Sequence, residues 1–456
     1  MKKALWVGIA AFALACGGED IEPLPLVEAP AVLEDENPDP RVVEVSMNAA
    51  TLSHSLGGDL DLDLMAYNGS VPGPLLQARV GDEVIVHFRN DLDEPTTIHW
   101  HGLRITDDMD GTPRVQDPVQ PGETFTYRFT APEAGSFWYH PHVRGYEQVE
   151  RGLYGPMVIH GEHDPDYDLE RYIMLDDIRL DENGIAPFQF SHPEQMHGRS
   201  GNALLINGVL SDPVQGVAKQ GQVERWRVVN PSNARTMSLS VKGANLRVIG
   251  TDGGLLPEPY TTDRITMAVG QRYDLEVAYL QPGQAELITH VLTLDDNDEV
   301  VEIEIPVAQI AVEETGKQAF MPEWTQPPML ADRQVSRYEI IELDAVSDED
   351  GIHWRLNGMS DHEEPMFVFE QGETTQIILK NLAGPEHPFH LHGQFFRIVG
   401  GDPGLKDTVL IRGGETVTIE AYMDNPGRWM AHCHILEHAE LGMMSEIVVN
   451  EAPSAE

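Results

Sequence analysis

Short segments in which apolar and polar residues alternate make up most of the chain from about residue 41 onward. Thr124–Thr130 alternates in this way, as do residues 375–379 and 416–419, and Gly, Pro, Asn and Asp separate the segments. A period of two places successive side chains on opposite faces of a strand. Many short strands between turn residues are typical of antiparallel β-sandwiches. The pattern therefore predicts an all-β protein.

An internal repeat indicates how many sandwiches the chain forms. Asn-Gly pairs begin at positions 68, 207 and 357, and each precedes by 13 to 15 residues a Gly that starts a strand ending in Asn nine residues later. Such a period marks a duplicated structural unit. A chain of 456 residues also fits three domains, at roughly 150 residues each. We predict three sandwich domains, over residues 41–163, 164–315 and 316–456.

The amino-terminal residues are typical of an exported protein. Met1 and two lysines precede an uncharged, largely apolar run over residues 4–15, which is too short for a membrane span and fits a secretory signal. Cys16 follows Leu-Ala, which resembles the site at which bacterial lipoproteins are cut and acylated; cleavage without acylation is the alternative. Residues 17–40 are acidic and rich in proline, which predicts an extended tether. The predicted location is periplasmic or at the cell surface, with a lipid anchor on Cys16.

Charge and cysteine content narrow the possible partners. The chain has 75 acidic and 30 basic residues, a formal net charge of −45. Such a polyanion disfavours nucleic acid and attracts cations, including metal ions, although a charge that only keeps the surface soluble is the simpler interpretation. Cys16 and Cys433 are the two cysteines. If each has its own task, no disulfide is available.

One stretch near the carboxyl end collects metal donors. His432, Cys433, His434, His438 and Met443 lie within twelve residues. Two His and one Cys with a long axial Met form a blue-copper site, and Cys433, His438 and Met443 supply three of these donors. In an extended strand His432 and His434 point away from the face of Cys433, toward a second metal centre. A buried core thiol is the simpler interpretation of a lone cysteine.

Further histidine pairs argue against that simpler interpretation. His99 and His101, His140 and His142, and His390 and His392 each have the same alternate spacing, with His387 just before the last pair. His99 and His390 both lie nine residues after the Asn of the repeat, and Pro141 occupies in the first copy the place of Cys433 in the third. The first and third copies therefore share a histidine cluster, whereas the middle copy has no ligands and is predicted to be a spacer.

These four motifs resemble, in order and spacing, those of the multicopper oxidases, the family of laccases, cuprous oxidases and ferroxidases. The resemblance implies three cupredoxin-like Greek-key β-sandwiches and four copper ions. It implies a type 1 copper held by His387, Cys433, His438 and Met443, and a type 2 copper between His99 and His390. It implies a type 3 pair held by His101, His140 and His432 on one side and by His142, His392 and His434 on the other.

The resemblance also implies the reaction. A reducing substrate gives single electrons to the type 1 copper through the exposed edge of His438 or His387, and Cys433 passes them to the cluster, where dioxygen becomes two waters. Asp110 matches an acid that assists proton delivery, although an Asp-Gly turn is an equal alternative. A second acid is expected after His438, but Ala439 stands there and Glu440 follows. With Met443 as axial ligand we expect a low to middling type 1 potential.

The reductant is the open question in the sequence. A broad laccase-like oxidase of phenols or aromatic amines is favoured, with oxidation of Cu(I) or Fe(II) close behind. Copper sequestration, a structural role and nitrite reduction are remote alternatives, because every ligand and the third domain are present. Isolated residues offer little support for a substrate metal site: Met359, Met366, His192, Met196 and His197. Other histidines, such as His54, His87 and His353, are predicted to be structural or on the surface.

Overall fold

The computed structural model describes residues 29–55, 61–211, 213–294, 300–325, 327, 333–349, 351–360 and 364–452. The predicted signal segment with Cys16, and residues 17–28 of the predicted tether, lie outside the described residues. Strands make up 53% of the chain and helices 5%, which confirms the all-β prediction. Within the described residues, no helix has the length and apolar character needed to cross a membrane.

The first sandwich packs two four-stranded sheets against each other. Their strand orders are β2-β1-β4-β6 and β3-β8-β7-β5. The elements are β1 (Val42–Ser55), β2 (Asp61–Tyr67), β3 (Leu76–Arg79), β4 (Glu83–Asn90), β5 (His99–His101), a 3-10 turn (Asp107–Met109), β6 (Thr124–Thr130), β7 (Gly135–His140), α1 (Gly145–Gln148) and β8 (Gly155–His160).

The middle sandwich has larger sheets. Their orders are β13-β12-β9-β15-β20-β17-β18 and β14-β22-β21-β16-β19, and β10 and β11 form a separate hairpin. The elements are β9 (Leu169–Ile178), β10 (Leu180–Asp181), β11 (Gly184–Ile185), α2 (His192–His197), β12 (Ala203–Ile206), β13 (Val209–Leu210), β14 (Val214–Lys219), β15 (Val223–Val229), β16 (Met237–Lys242), β17 (Asn245–Thr251), β18 (Gly254–Thr261), β19 (Ile265–Met267), β20 (Arg272–Ala278), β21 (Gly283–Leu294) and β22 (Val300–Glu313).

The third sandwich has two five-stranded sheets. Their orders are β24-β23-β26-β30-β28 and β25-β32-β31-β27-β29. The elements are β23 (Arg337–Asp348), β24 (Gly351–Leu356), β25 (Phe367–Glu370), β26 (Thr374–Asn381), β27 (His387–Leu391), β28 (Phe395–Ile398), β29 (Thr408–Ile411), β30 (Thr416–Tyr422), β31 (Gly427–Cys433), α3 (Leu436–Glu440) and β32 (Met444–Asn450).

The three sandwiches repeat one topology, as the internal repeat predicts. The order β2-β1-β4-β6 recurs as β12-β9-β15-β20 and as β24-β23-β26-β30. In each copy the first strand pairs in parallel with the strand that returns beside it, for example β1 with β4 and β23 with β26. The sheets are therefore mixed and not purely antiparallel, because the chain crosses to the other sheet between these strands and returns in the same direction.

The repeated asparagines explain why the pattern persists in the sequence. Asn90, Asn230 and Asn381 are buried, and each side-chain amide donates to two backbone carbonyls across a loop. Each side-chain carbonyl in turn accepts from the backbone N–H two residues later. A buried polar side chain must be satisfied in this way or it destabilises the fold, so the same residue closes the same loop in all three sandwiches.

Part of the predicted tether belongs to the first sandwich. Ala31 and Leu33 exchange backbone hydrogen bonds with Leu75, and Leu33 packs against the first core. Glu36 is bonded in the same way to Glu44. The described residues 29–40 are therefore attached to the first sandwich by backbone hydrogen bonds and do not form a free linker.

Candidate metal centres

Three donors of the predicted type 1 site converge in the third sandwich. β27 supplies His387 at its start, β31 supplies Cys433 at its end, and α3 supplies His438. The Cys433 Sγ lies 3.5 Å from Nδ1 of His387 and 3.7 Å from Nδ1 of His438, and the two Nδ1 atoms are 3.1 Å apart. All three side chains are buried, so their donor atoms face one another and not the solvent.

The protonation of these groups fits a copper site. Burial lowers the pKa of His387 to about 3 and holds that of His438 well below its ordinary value, so both rings are neutral donors. Burial raises the pKa of the Cys433 thiol, and a bound metal ion displaces the proton from such a thiol. Two imidazoles and one thiolate in this arrangement suit copper.

Met443 is held between two of these ligands by its backbone. Its N–H donates to the carbonyl of His438 at 2.9 Å, and its carbonyl accepts from the N–H of Cys433 at 3.0 Å. The side chain is buried in the third core together with Cys433. Met443 therefore belongs to the same buried centre as the three converging donors.

Eight histidines gather between the first and third sandwiches. Strand pairing sets them opposite one another: His99 faces His140 across β5 and β7, and His390 faces His432 across β27 and β31. Two residues after each of these four lies another histidine, namely His101, His142, His392 and His434. Their nitrogens form sets within 4.8 Å, namely His99 with His101 and His390, His99 with His140 and His142, His101 with His140 and His434, and His142 with His392 and His432.

His99 and His390, predicted for the type 2 copper, are held alike. Nδ1 of His99 donates to the carbonyl of Asp110 at 2.8 Å, and Nδ1 of His390 donates to the carbonyl of Asp407 at 3.0 Å. Nε2 of each ring is buried and has no hydrogen-bond partner among the described residues. A buried nitrogen without a partner destabilises the fold unless something binds it, so both rings are available to a metal ion.

The two type 3 groups differ from the prediction, which had exchanged His432 and His434. His434 lies with His101 and His140, whereas His432 lies with His142 and His392. The cause is the end of β31: His432 is still paired with β27, but His434 follows the strand and its N–H is bonded to the carbonyl of Pro388. The His434 ring thus reaches His101, with Nε2 and Nδ1 3.3 Å apart.

Two ring nitrogens of the cluster face each other at a distance that a bound cation would stabilise. Nε2 of His392 and Nε2 of His432 are 3.1 Å apart. Burial lowers the pKa of His432 to about 3 and holds that of His392 well below its ordinary value, so both rings are neutral. Their Nδ1 atoms already donate, to Asp110 and to the carbonyl of Cys433. Two lone pairs then face each other, and a copper ion bound between such imidazoles removes that conflict.

Asp110 lies against the cluster. It also takes part in an Asp-Gly turn, which was the alternative interpretation of this residue. Its Oδ2 accepts from Nδ1 of His392 at 2.8 Å, and its Oδ1 lies 3.3 Å from Nδ1 of His99. The next residue, Gly111, has φ +79°, and a Cβ there would lie 1.9 Å from the carbonyl oxygen of Ile98. Glycine is therefore required at the turn, while the carboxylate before it holds a ligand.

Asp407 is a buried acid of the cluster that the sequence analysis missed. Its Oδ1 accepts from Nε2 of His101 at 3.2 Å. Burial alone would raise its pKa, but the guanidinium of Arg272 and the ring of His101 outweigh burial and hold the pKa of Asp407 well below its ordinary value. Asp407 is not part of a spaced motif like the His-X-His pairs, so its contact with the cluster is apparent only in the folded structure.

The predicted exposed edge of the type 1 centre is absent, so that prediction was wrong. His387 and His438 are both 0% exposed. The backbone of Met196 in α2 is hydrogen-bonded to the His438 ring. Burial lowers the pKa of His438, and this hydrogen bond partly offsets that lowering. Trp354 packs on the same ring with centroids 4.4 Å apart, and its Nε1 donates to the carbonyl of Gln195 at 2.8 Å. We call α2 together with Trp354 the type 1 cover.

The remaining predicted residues lie away from the centres or at their margin. Glu440 is exposed, so it does not restore the second proton path. Met359 and Met366 are half-buried, while His192 and His197 are exposed at the two ends of α2. His87 contacts Glu44 and His353 contacts Asp348 at the surface, as predicted. The side chain of His54 lies outside the described residues.

The fold and the site together define a class of protein. A centre built from Cys433 and two histidines is joined by β31 to an eight-histidine cluster between two sandwiches. Proteins with that combination are copper-dependent oxidases in which one centre accepts electrons and the other reduces a bound acceptor.

Comparison with known proteins identifies the family. Models described as multicopper oxidase match residues 50–164, 178–287 and 333–453. A multicopper oxidase of Staphylococcus epidermidis is 31% identical, over 84% of this chain and 83% of its own. Among solved structures, a multicopper oxidase of Campylobacter jejuni, described as a metallo-oxidase, has a TM-score of 0.83 at 26% identity, covering 93% of this chain and 95% of its own.

Laccase-like proteins are similar to the same degree. A bacterial laccase-like multicopper oxidase of Ochrobactrum sp., described as active toward lignin model compounds, has a TM-score of 0.79 at 25% identity, covering 92% of this chain and 99% of its own. The chain belongs to the multicopper oxidases. It is therefore a copper-dependent oxidoreductase that binds four copper ions and uses dioxygen.

Proposed function

We propose that the chain oxidises a small cationic metal ion, Cu(I) or Fe(II), with dioxygen as the electron acceptor. The observation that carries this proposal is the complete burial of His387 and His438 beneath the type 1 cover. A phenol exchanges electrons fastest when its ring touches the edge of a ligand. A covered edge removes that contact, whereas a small ion needs only a few donors on the outer side of the cover.

Charge supports the same choice. The formal net charge of −45 favours cations near the protein surface. A neutral phenol gains nothing from this field. The sequence favoured phenols because isolated Met and His residues gave little support for a substrate metal site and because a laccase needs only an accessible ligand edge. The burial of His387 and His438 removes that edge.

Aromatic reductants are the second candidate, because of one cleft beside the type 1 cover. Tyr146, Phe188 and Phe190 line a narrow cleft together with Arg199 and Glu437, and its volume of about 10 Å³ is close to that of one water molecule. Glu437 directly precedes His438, and burial raises its pKa to about 7. A phenol can enter only if these side chains move apart, and it would then meet aromatic rings and a group able to take up its proton near neutral pH.

The protein residues have separate tasks in either case. Copper ions held here would supply one-electron chemistry, so that four electrons from the reductant and four protons convert dioxygen to two waters. His387, Cys433, His438 and Met443 would hold the ion that receives electrons, and β31 connects Cys433 covalently to His432 and His434. Asp110 holds the ring of His392 and is buried beside the cluster. This position supports a role for its carboxylate in delivering protons to the reduced oxygen.

Oxygen uptake by the fully copper-loaded protein, with Cu(I), Fe(II) and a methoxyphenol compared under one set of conditions, tests the proposal. We expect kcat/KM for one of the metal ions to exceed that for the phenol at least about tenfold. Faster uptake with the phenol would reject metal oxidation and favour the cleft beside Glu437. Absence of uptake with all three would reject both candidates.

We also propose that the chain is exported and carries lipid on Cys16. The apolar run before Cys16 supports this proposal. Expression of the full chain and of Cys16→Ser in a Gram-negative host, followed by separation of membranes, tests it. The unaltered chain should sediment with membranes and the variant should not. Equal distribution of the two would reject lipid attachment.

A further inference from the structure

The middle sandwich contacts the copper cluster through a buried ion pair. Arg272, at the start of β20, binds both carboxylate oxygens of Asp407 in the third sandwich, with Nη1 2.8 Å from Oδ1 and Nη2 2.6 Å from Oδ2. Both side chains are at most 1% exposed. Planar, bidentate pairing of this kind fixes geometry as well as charge.

Every nitrogen of the Arg272 guanidinium has a hydrogen-bond partner. Its Nε donates to the carbonyl of Ser136 in the first sandwich, Nη1 donates to the carbonyl of Gly270, and Nη2 donates to the carbonyl of Asp252. Burying a guanidinium carries a large desolvation penalty, which only complete pairing offsets. One side chain thus holds backbone or carboxylate groups of all three sandwiches.

Asp407 transmits this contact to two rings of the cluster. Its Oδ1 accepts from Nε2 of His101, and its backbone carbonyl accepts from Nδ1 of His390. The two rings stack with centroids 3.9 Å apart and an interplanar angle of 10°. Because Asp407 occupies Nε2 of His101, this ring presents Nδ1 to His434, whereas His99 and His390 are left open at Nε2.

Gly270 brings the middle sandwich against the cluster a second time. A Cβ at this position would lie 2.9 Å from Cδ2 of His434 and 3.0 Å from Cε1 of His101. The backbone at Gly270 has φ +85°, a conformation that glycine adopts without strain. The turn that contains Gly270 and Arg272 therefore forms part of the wall around these two rings.

We propose that the middle sandwich is a working part of the trinuclear centre, in which Arg272 is a positioning residue that acts through Asp407 on the donor nitrogen of His101 and the ring of His390. The spacer role predicted from its missing ligands is then incomplete. This inference rests on the copper cluster and is independent of which reductant the enzyme uses.

The test compares copper retention in holoenzymes with Arg272→Gln and with Arg225→Gln. Arg225 is an equally buried arginine of the same sandwich, paired with Asp274 and Asp164, and it contacts neither Asp407 nor a cluster histidine. Each protein is exposed to a fixed concentration of chelator. The type 2 copper signal in electron paramagnetic resonance is then followed against the type 1 signal of the same sample.

We expect Arg272→Gln to lose the type 2 signal at least about tenfold faster than the unaltered enzyme, the usual scale for residues that orient metal ligands. The type 1 signal should persist, because His387, Cys433 and His438 do not contact Arg272. Arg225→Gln should keep the ratio of the two signals, even where unfolding occurs more readily. Equal ratios in the two variants would overturn the proposal and leave the ion pair a purely structural link.

Two milder variants decide the case if Arg272→Gln does not fold. Arg272→Lys keeps the charge without the bidentate geometry, and Asp407→Asn keeps an acceptor for His101 but weakens the pair with Arg272. Both should lose type 2 copper faster than the unaltered enzyme, and Arg272→Lys should lose less than Arg272→Gln where both can be measured. Retention equal to that of the unaltered enzyme in both variants would reject the positioning role.

Discussion

Most histidines of the cluster are held through one ring nitrogen and left open at the other. For His99, His140, His390 and His432 the holding partner is a backbone carbonyl at Nδ1. A carbonyl only accepts, so it fixes the tautomer as well as the direction of the ring. The cluster is thus oriented before any copper ion binds.

Among the described residues, Asp110 is the one side-chain carboxylate hydrogen-bonded to His392. We expect Asp110→Asn to retain copper, because the amide oxygen can still accept from Nδ1 of His392, but to slow oxygen reduction about a hundredfold through loss of the ionisable group. Oxygen uptake measured with the type 1 centre already reduced checks this expectation. Asp108→Asn, at an exposed position two residues away, is the matched control. Unchanged uptake in Asp110→Asn would assign Asp110 to the turn alone.

Met443 offers a test of the axial ligand. Met443→Leu nearly conserves volume, so the buried centre should fold at a stability cost below about 1.5 kcal/mol. Loss of the thioether should raise the type 1 reduction potential, because the weak axial bond favours the oxidised ion. A redox titration followed through the blue absorption band measures the change. An unchanged potential would show that the Met443 sulfur is not a ligand.

The raised pKa of Asp176 makes the free energy of unfolding depend on pH. Burial, and then repulsion from Asp177, raise its pKa from 3.8 to about 7. The folded state therefore binds the proton more tightly than the unfolded state, so this stabilising contribution is complete below about pH 4 and is lost as pH rises through about 7, at up to roughly 1.4 kcal/mol per pH unit. Asp176→Asn should flatten the dependence in denaturant unfolding at matched copper loading, and exposed Asp181→Asn should not. Parallel pH curves for Asp176→Asn and the unaltered protein would contradict the assignment.

At the scale of elements, the sequence predicts the features that depend on short-range patterns. Alternation marks the strands, Asn-Gly marks the repeated turns, and each His-X-His pair lies where a strand ends. The pair of Asp407 with Arg272 has no such mark, because its partners are 135 residues apart and belong to different sandwiches. Pairing across domains depends on how finished sheets pack, which no short-range pattern encodes.

Helix α2 was also not predicted from the sequence, but for a different reason. Ser191 and Glu194 form a capping box with Pro193 near the start, a pattern that predicts a helix N-terminus. The segment nevertheless reads as a polar loop, since six residues are too few for amphipathic periodicity. Its position over His438 comes from contacts with the third sandwich, so the covered imidazole could not be predicted from the residues around His438.

The type 1 cover can be loosened at Met196, whose side chain packs against the third core. We expect Met196→Ala to open the space beside His438 and to raise kcat/KM for a methoxyphenol several-fold, while the type 1 absorption stays unchanged. Steady-state oxygen uptake checks this. Met321→Ala, at an exposed methionine far along the chain, is the matched control. If phenol oxidation stays at its original rate, the cover does not limit access to the type 1 centre.

At the scale of the whole molecule, charge distinguishes the two reductant classes. A net charge of −45 attracts Cu(I) or Fe(II) over a distance set by the ionic strength, which is about 10 Å at 0.1 M salt and about 3 Å at 1 M. We expect kcat/KM for the metal ion to fall about tenfold or more over that range, while kcat/KM for a neutral phenol stays constant. Oxygen uptake measured in a non-coordinating salt separates this effect from anion binding to copper. Equal salt dependence for both reductants would mean that the field of the protein has no part in selecting its substrate, and the case for metal oxidation would then rest on the covered imidazole alone.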